Sequence, residues 1–122
     1  MRDKNIIKGK SGEKIAEKYL KKKGYHILYK NFKTNIGELD LVVTDDNYLV
    51  FVEVKSRENT NFSHAMESVS YHKRNKINQV AAQYMKKFML FGSNIRFDVI
   101  EVYFETGEIN HVENAFDSYL RY

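Results

Sequence analysis

The stretch from Gly37 to Arg57, GELDLVVTDDNYLVFVEVKSR, leaves the chain little choice of architecture. Two runs rich in Val, Leu and Phe flank the polar turn signal TDDN, which is the pattern of a β-hairpin. Placing Asp46 and Asn47 at the centre of the turn fixes the pairing, and a four-residue loop from Asp45 to Tyr48 gives the same register. Thr44 then faces Leu49, Val42 faces Phe51, Asp40 faces Glu53 and Glu38 faces Lys55, all on one side of the hairpin, because strand side chains alternate. Leu39, Leu41, Val43, Val50, Val52 and Val54 fall on the other side, an apolar surface that requires a layer packed against it.

The charges on this hairpin are what stability alone does not explain. Opposed residues on paired strands have Cβ atoms roughly 5 Å apart, and like charges placed there repel. A divalent cation between Asp40 and Glu53 removes that cost, since Mg²⁺ takes oxygen ligands, typically one or two carboxylates with water and substrate phosphate completing the shell. Lys55, two residues beyond Glu53 on the same side, is placed to hold an attacking water or to neutralise charge growing on a phosphate. The set suits a metal-assisted phosphodiesterase.

Asp40 followed by Glu53-Val54-Lys55 resembles the PD-(D/E)XK nuclease motif, and the longer string around it closely resembles the YraN family of small, predicted endonuclease-like proteins. The likeness spans most of the chain. Gly9, Gly12, Glu13, Ala16, Tyr19 and Leu20 match that family's opening helix, and Gly24, Tyr25 and Asn31 the stretch after it. Val69, Lys73, Lys76 and Ala81 fit its central helix, and Arg96 to Val99 its last core strand. The resemblance implies a restriction-endonuclease-like three-layer α/β sandwich and a Mg²⁺- or Mn²⁺-dependent endonuclease acting on nucleic acid, DNA first. It also implies that Glu13, on the first helix, joins Asp40 and Glu53 as a metal ligand and that Lys55 completes the catalytic set. The alternative is a nucleic-acid-binding protein that keeps the fold without turnover; fold analogy does not separate the two.

The rest of the chain supplies the layers. Asn5 or Ser11 caps a first helix that ends at Gly24, with Ile15, Ala16, Tyr19 and Leu20 on its buried face and Glu13 on or beside it. Residues 25–32, YHILYKNF, read as a first strand; Tyr29 and Phe32 are core residues or platforms for unpaired bases. Glu38 is either the cross-strand partner of Lys55 or a further acid near the metal, while Asp45 and Asp46 are turn chemistry. Residues 57–64, RENTNFSH, form a polar loop beside the site. A long helix starts near Ser70 and ends by Gly92, its stripe being Ile77, Val80, Ala81, Tyr84 and Phe88. Lys73 and Lys76 in its first turns, with Arg57 at the end of the hairpin, are the candidate nucleic-acid contacts. Residues 95–104, IRFDVIEVYF, make a buried strand in which Arg96 and Asp98 pair; a turn at Gly107 leads to an edge strand from Ile109 to Val112, and Asn114 to Tyr122 form a terminal helical turn. The four histidines are scattered and read as surface residues.

Composition adds limits. The chain of 122 residues is long enough for one domain, 1–122, with a real core. No apolar run approaches the roughly 20 residues that span a bilayer, and the N-terminus lacks the apolar core of a signal peptide, so the expected setting is cytoplasmic and free of membrane. The absence of cysteine excludes disulfides and thiolate sites. Residues 1–33 hold 11 Lys and Arg against 3 acids, a candidate phosphate-attracting surface or a solvated helix face. A homodimer is one way to span a duplex, though no residue specifies it.

Overall fold

The computed structural model describes residues 4–58 and 70–118, with side chains from Lys10 onward. Seven elements follow in order: α1 (Lys4–Lys22), β1 (His26–Lys33), β2 (Glu38–Thr44), β3 (Leu49–Arg57), α2 (Tyr71–Lys87), β4 (Ile95–Tyr103) and β5 (Ile109–Val112). The strands form one sheet in the order β1-β2-β3-β4-β5. All neighbours are antiparallel except β3 and β4, which run parallel and are joined through α2. The result is an open mixed α/β sheet, consistent with the restriction-endonuclease-like sandwich that the resemblance implied.

Each face has its own core. Ile77, Val80, Ala81, Tyr84 and Met85 of α2 pack with Leu39, Val42, Phe51 and Phe97. Ala16 and Leu20 of α1 pack with Leu41, Val43, Val50, Val52 and Ile100 on the other side. The central strand β3 is therefore buried on both faces, which explains why its sequence is a nearly continuous apolar run and not an alternating one. Aromatic rings fill the α2 side: Phe51 stacks on Phe97, Phe97 on Phe116, and Tyr84 meets Phe32 edge-on.

The turn chemistry sets the hairpin register as expected over four pairs, Leu41–Val52 to Thr44–Leu49. Asp45 Oδ1 accepts the amide protons of Asn47 and Tyr48, and Asp46 takes a left-handed backbone at φ 83. Beyond Leu41 the expected pairing fails. No Asp40–Glu53 or Glu38–Lys55 step continues the ladder; instead the Asp40 carboxylate accepts the Val54 amide proton at 2.8 Å, a side chain standing where a strand backbone would have been. Leu39 is a second correction. It belongs to the α2-side core while Leu41, two residues on, belongs to the α1 side, so β2 changes phase across Asp40. In the neighbouring strand Asn31 adopts a left-handed φ of 55, and Tyr29 and Phe32, three apart, both pack against Tyr84.

The helix ends also differ from expectation. The first helix begins at Lys4, so Asn5 and Ser11 lie inside it; nothing in KNIIKGK stops a helix, because the segment has no proline and only one glycine. Ser70 does cap α2, its hydroxyl accepting from the Lys73 amide at 3.2 Å. That helix stops at Lys87 and not by Gly92, because Met89 takes the left-handed position at φ 55 and the Leu90 amide closes onto the Met85 carbonyl. Residues 114–118 form no helix; the Ala115 amide bonds the Phe97 carbonyl at 2.7 Å and Ala115 and Phe116 are buried. Leu120, Val69 and most of the loop 57–64 lie outside the described residues. Among the described residues no helix is long and apolar enough to cross a membrane.

Candidate metal and nucleic-acid site

The site forms where β2 and β3 part and α1 crosses over them. Gly12 sits at the crossing. A methyl group at position 12 would overlap Ser56 Oγ, which would have to turn away, and would lie in ordinary contact with Ser56 Cβ at 3.4 Å, so glycine leaves the Ser56 hydroxyl its place at the end of β3. Glu13, the next residue, is carried to the acids of β2. One carboxylate oxygen each from Glu13, Glu38 and Asp40 lie within 4.8 Å of one another. An octahedral ion with oxygen ligands at roughly 2.1 Å needs ligand oxygens about 3 to 4 Å apart. An all-carboxylate donor set of this span fits a hard divalent cation such as Mg²⁺ or Mn²⁺ and does not suit a thiophilic one.

Asn31 braces two of the three acids. With its amide oriented to satisfy both neighbours, the nitrogen donates to Glu38 at 2.9 Å and to Glu13 at 3.2 Å. The left-handed backbone that turns the strand at Asn31 is one that asparagine tolerates better than most residues.

Crowding raises the proton affinity of Asp40 and Glu13. Burial, then the charge of Glu53, and also those of Glu13 and Glu38, push Asp40 up to about 8 against the pull of the Val54 amide. Burial and Glu38 likewise push Glu13 upward, while hydrogen bonds from Asp40 and Asn31 partly offset them. At neutral pH without metal, Asp40 holds a proton that it can donate to Glu13. A divalent cation would replace that proton and relieve the repulsion.

Beside the acids, β3 and α2 contribute a second cluster. Glu53 is buried and accepts from two ammonium groups, Lys73 at 2.7 Å and Lys55 at 3.2 Å. Burial and the neighbouring Lys73 ammonium lower the Lys55 pKa, whereas Glu53 raises that of Lys73 in spite of burial. Asp40 and Glu13 both feel the Glu53 charge.

The structure thus brings Glu13 and Asp40 together as the sequence suggested, and adds Glu38. Glu38 had two readings, and the one pairing it with Lys55 does not hold: Lys55 bonds Glu53, and Glu38 faces Asn31 and the other acids. Glu53 stands adjacent to this trio and not within it, engaged by the two lysines. Among the nucleic-acid candidates, Lys73 lies in the site, Lys76 is exposed on α2, and Arg57 Nε bonds the fully buried Glu101 at 3.2 Å.

Sequence reasoning missed His111. It is not a surface residue: its Nε2 lies 2.7 Å from the buried Asp98, and Nδ1 lies 3.1 Å from the Tyr19 hydroxyl. Arg96 bonds the same carboxylate through two nitrogens at 2.8 and 2.9 Å, as expected, and reaches the Tyr25 hydroxyl. Burial pushes the Asp98 pKa up, but His111, Arg96 and the Asn114 amide outweigh it and hold the carboxylate below its ordinary range. A histidine in a short edge strand two residues past an apolar one was the available signal, and it did not reveal a partner 13 residues away.

An open mixed five-stranded sheet with two helices, in which acids from α1 and β2 converge beside a buried Glu-Lys-Lys cluster, defines an α/β fold consistent with a restriction-endonuclease-like sandwich. The chain belongs to the family described as "Uncharacterised protein family UPF0102", whose sequence pattern matches residues 12–102; this is the family that the motif resembled under the name YraN. The UPF0102 protein of Clostridioides difficile strain 630 is 50% identical over 112 residues, covering 92% of this chain and 98% of that one. The relative from Caldanaerobacter subterraneus subsp. tengcongensis is 47% identical over 113 residues, covering 88% and 93%, and one from Legionella pneumophila strain Philadelphia 1 is 40% identical over 112 residues, covering 91% and 95%. A solved structure of Pyrococcus furiosus SfsA in complex with Ca²⁺ is a distant likeness, with a TM-score of 0.37 and 18% identity over 89% of this chain and 63% of that one.

Proposed function

We propose that the protein is an endonuclease that hydrolyses phosphodiester bonds in nucleic acid, DNA first, with Mg²⁺ or Mn²⁺ held by Glu13, Glu38 and Asp40 and with Glu53 beside them. The observation that carries this reading is the convergence of three carboxylates from two elements at one point, with two ammonium groups alongside. The bound cation would supply Lewis-acid polarisation of the phosphate and favour ionisation of water. Hydrolysis forms a bond from water oxygen to phosphorus, breaks one ester P–O bond and delivers a proton to the departing oxygen. Lys55 is the group of this chain suited to that charge, since its ammonium is partly buried, where its field is less screened, and holds its proton less tightly than an exposed lysine. Glu53 anchors Lys55 and keeps its side chain from wandering into solvent. Asn31 keeps Glu13 and Glu38 aimed inward.

A second reading, nucleic-acid binding without turnover, draws on the fact that both ammonium groups are engaged by Glu53. An assay separates the two. The protein is incubated with Mg²⁺ or Mn²⁺ and duplex, single-stranded, flapped and four-way-junction DNA, and with RNA. The nuclease reading expects metal-dependent cutting by the wild type, none by Lys55→Ala, and retained Mn²⁺ binding by that variant in calorimetry. Equal cutting by wild type and Lys55→Ala would remove Lys55 from the mechanism, and binding without cutting on every substrate would leave the second reading.

A further inference from the structure

Two of the acids, Glu13 and Glu38, line a longer depression whose lysines the proposed chemistry does not use. Between α1 and β1 lies a cavity of about 600 Å³. Lys10, Lys14 and Glu17 of α1 line one side and Lys30 and Lys33 of β1 the other, and Glu13 and Glu38 belong to the same lining. All four ammonium groups are on exposed residues. Glu17 holds Lys30 at 3.5 Å and Lys21 at 3.1 Å, whereas Lys10, Lys14 and Lys33 have no ion pair among the described residues.

Glu17 offsets part of this charge through Lys30, and Glu13 and Glu38 belong to the acidic site, so the exposed ammonium groups of Lys10, Lys14 and Lys33 are left along the depression without an ion pair among the described residues. A polyanion laid along them is attracted to them. Lysines of the same helix pointing elsewhere provide the contrast: Lys18 and Lys22 line a separate, largely apolar depression with Ile15 and Ile109. The depression has the volume of a small-molecule cleft, enough to seat part of a sugar-phosphate backbone. On the α2 side, by comparison, Lys73 is held at 2.7 Å by the buried Glu53, a tighter pair than the exposed one between Lys30 and Glu17 at 3.5 Å.

We infer that the α1–β1 groove holds the nucleic-acid strand next to the phosphate being cut, with Lys10 and Lys14 contacting its phosphates from one wall and Lys30 and Lys33 from the other. This assignment rests on the reading of the acids as a phosphodiester site. It makes α1 and β1, and not the start of α2, the principal phosphate-binding surface.

The test is the salt dependence of binding, measured by fluorescence anisotropy with labelled single-stranded and duplex DNA in EDTA, where cutting is blocked. Each phosphate contact contributes about 0.7 (single strand) to 0.9 (duplex) to the slope of log affinity against log salt. Lys10→Gln/Lys14→Gln and Lys30→Gln/Lys33→Gln are each expected to flatten the slope by about 1.4 to 1.8. Lys18→Gln/Lys22→Gln, with the same loss of charge, is expected to leave it within half a unit of wild type, roughly the size of a long-range effect. Equal flattening by the control pair, unchanged slopes in the groove pairs, or no binding by the wild type would overturn the inference. Groove-dependent binding without cutting in Mn²⁺ would keep the groove and sink the nuclease reading; cutting that the groove variants leave at wild-type efficiency would do the reverse.

Discussion

Asp40→Asn is expected to stabilise the metal-free protein at pH 8 while destroying the site. In the unfolded chain the Asp40 carboxyl titrates at its ordinary value of 3.8, and in the folded protein at about 8. Between these values the folded state holds a proton that the unfolded state has released, so stability falls as pH rises through the window. At about 1.36 kcal/mol per pH unit, the linked loss is about 3 kcal/mol by pH 6 and about 5 kcal/mol by pH 8. Asparagine keeps what the neutral carboxyl provides: its oxygen accepts from the Val54 amide, and its nitrogen donates toward Glu13. It has no proton to lose. Urea unfolding of both proteins in EDTA at pH 5, 6, 7 and 8 should therefore show a gap in favour of the variant that widens with pH. Added Mn²⁺ should then stabilise the wild type and leave the variant unmoved. Parallel stability curves across the range would refute the reasoning, because they would mean that Asp40 is neither crowded by acids nor buried enough to resist ionisation.

Gly12→Ala places a methyl group on Ser56 Oγ, which must turn away, while alanine's better helix propensity offsets about 0.5–1 kcal/mol of the cost, so stability should fall by no more than about 1 kcal/mol in thermal melts, and Gly12→Ala in a Ser56→Gly background should be stabilising. Asn31→Ala removes the brace from Glu13 and Glu38 and should weaken Mn²⁺ binding about 10-fold or more, with Asn31→Asp, which brings a fourth acid, changing the pH dependence as well. His111→Ala leaves Asp98 with Arg96 and the Asn114 amide but strips one bond from a buried carboxylate, which should cost about 1.5–3 kcal/mol in urea unfolding without altering metal binding.

How far the sequence carried the structure is clearest in the hairpin. Turn chemistry at Asp45 and Asp46 is local, and it determines four strand pairs by itself. The same counting failed at Asp40, because Leu39 packs on the α2 side and Leu41 on the α1 side, and a hairpin considered alone contains neither helix. That failure is also where the site lies. An unbroken ladder would have set Asp40 against Glu53; the parted strands instead aim Asp40 at Glu13 and Glu38, and leave Glu53 to the lysines. Glu13 was legible through the family pattern around it, whereas Glu38 was ambiguous since an acid opposite a lysine is most simply an ion pair. His111 was illegible because its partners come from α1 and β4, far away in the chain.

Anomalous scattering from crystals grown with Mn²⁺ addresses the central claim most directly. The account predicts a single strong peak ligated by oxygens of Asp40 and at least one of Glu13 and Glu38, absent in Asp40→Asn. Ordered Mn²⁺ bound only elsewhere, or wild-type crystals saturated with Mn²⁺ and no peak at these three carboxylates, would contradict it.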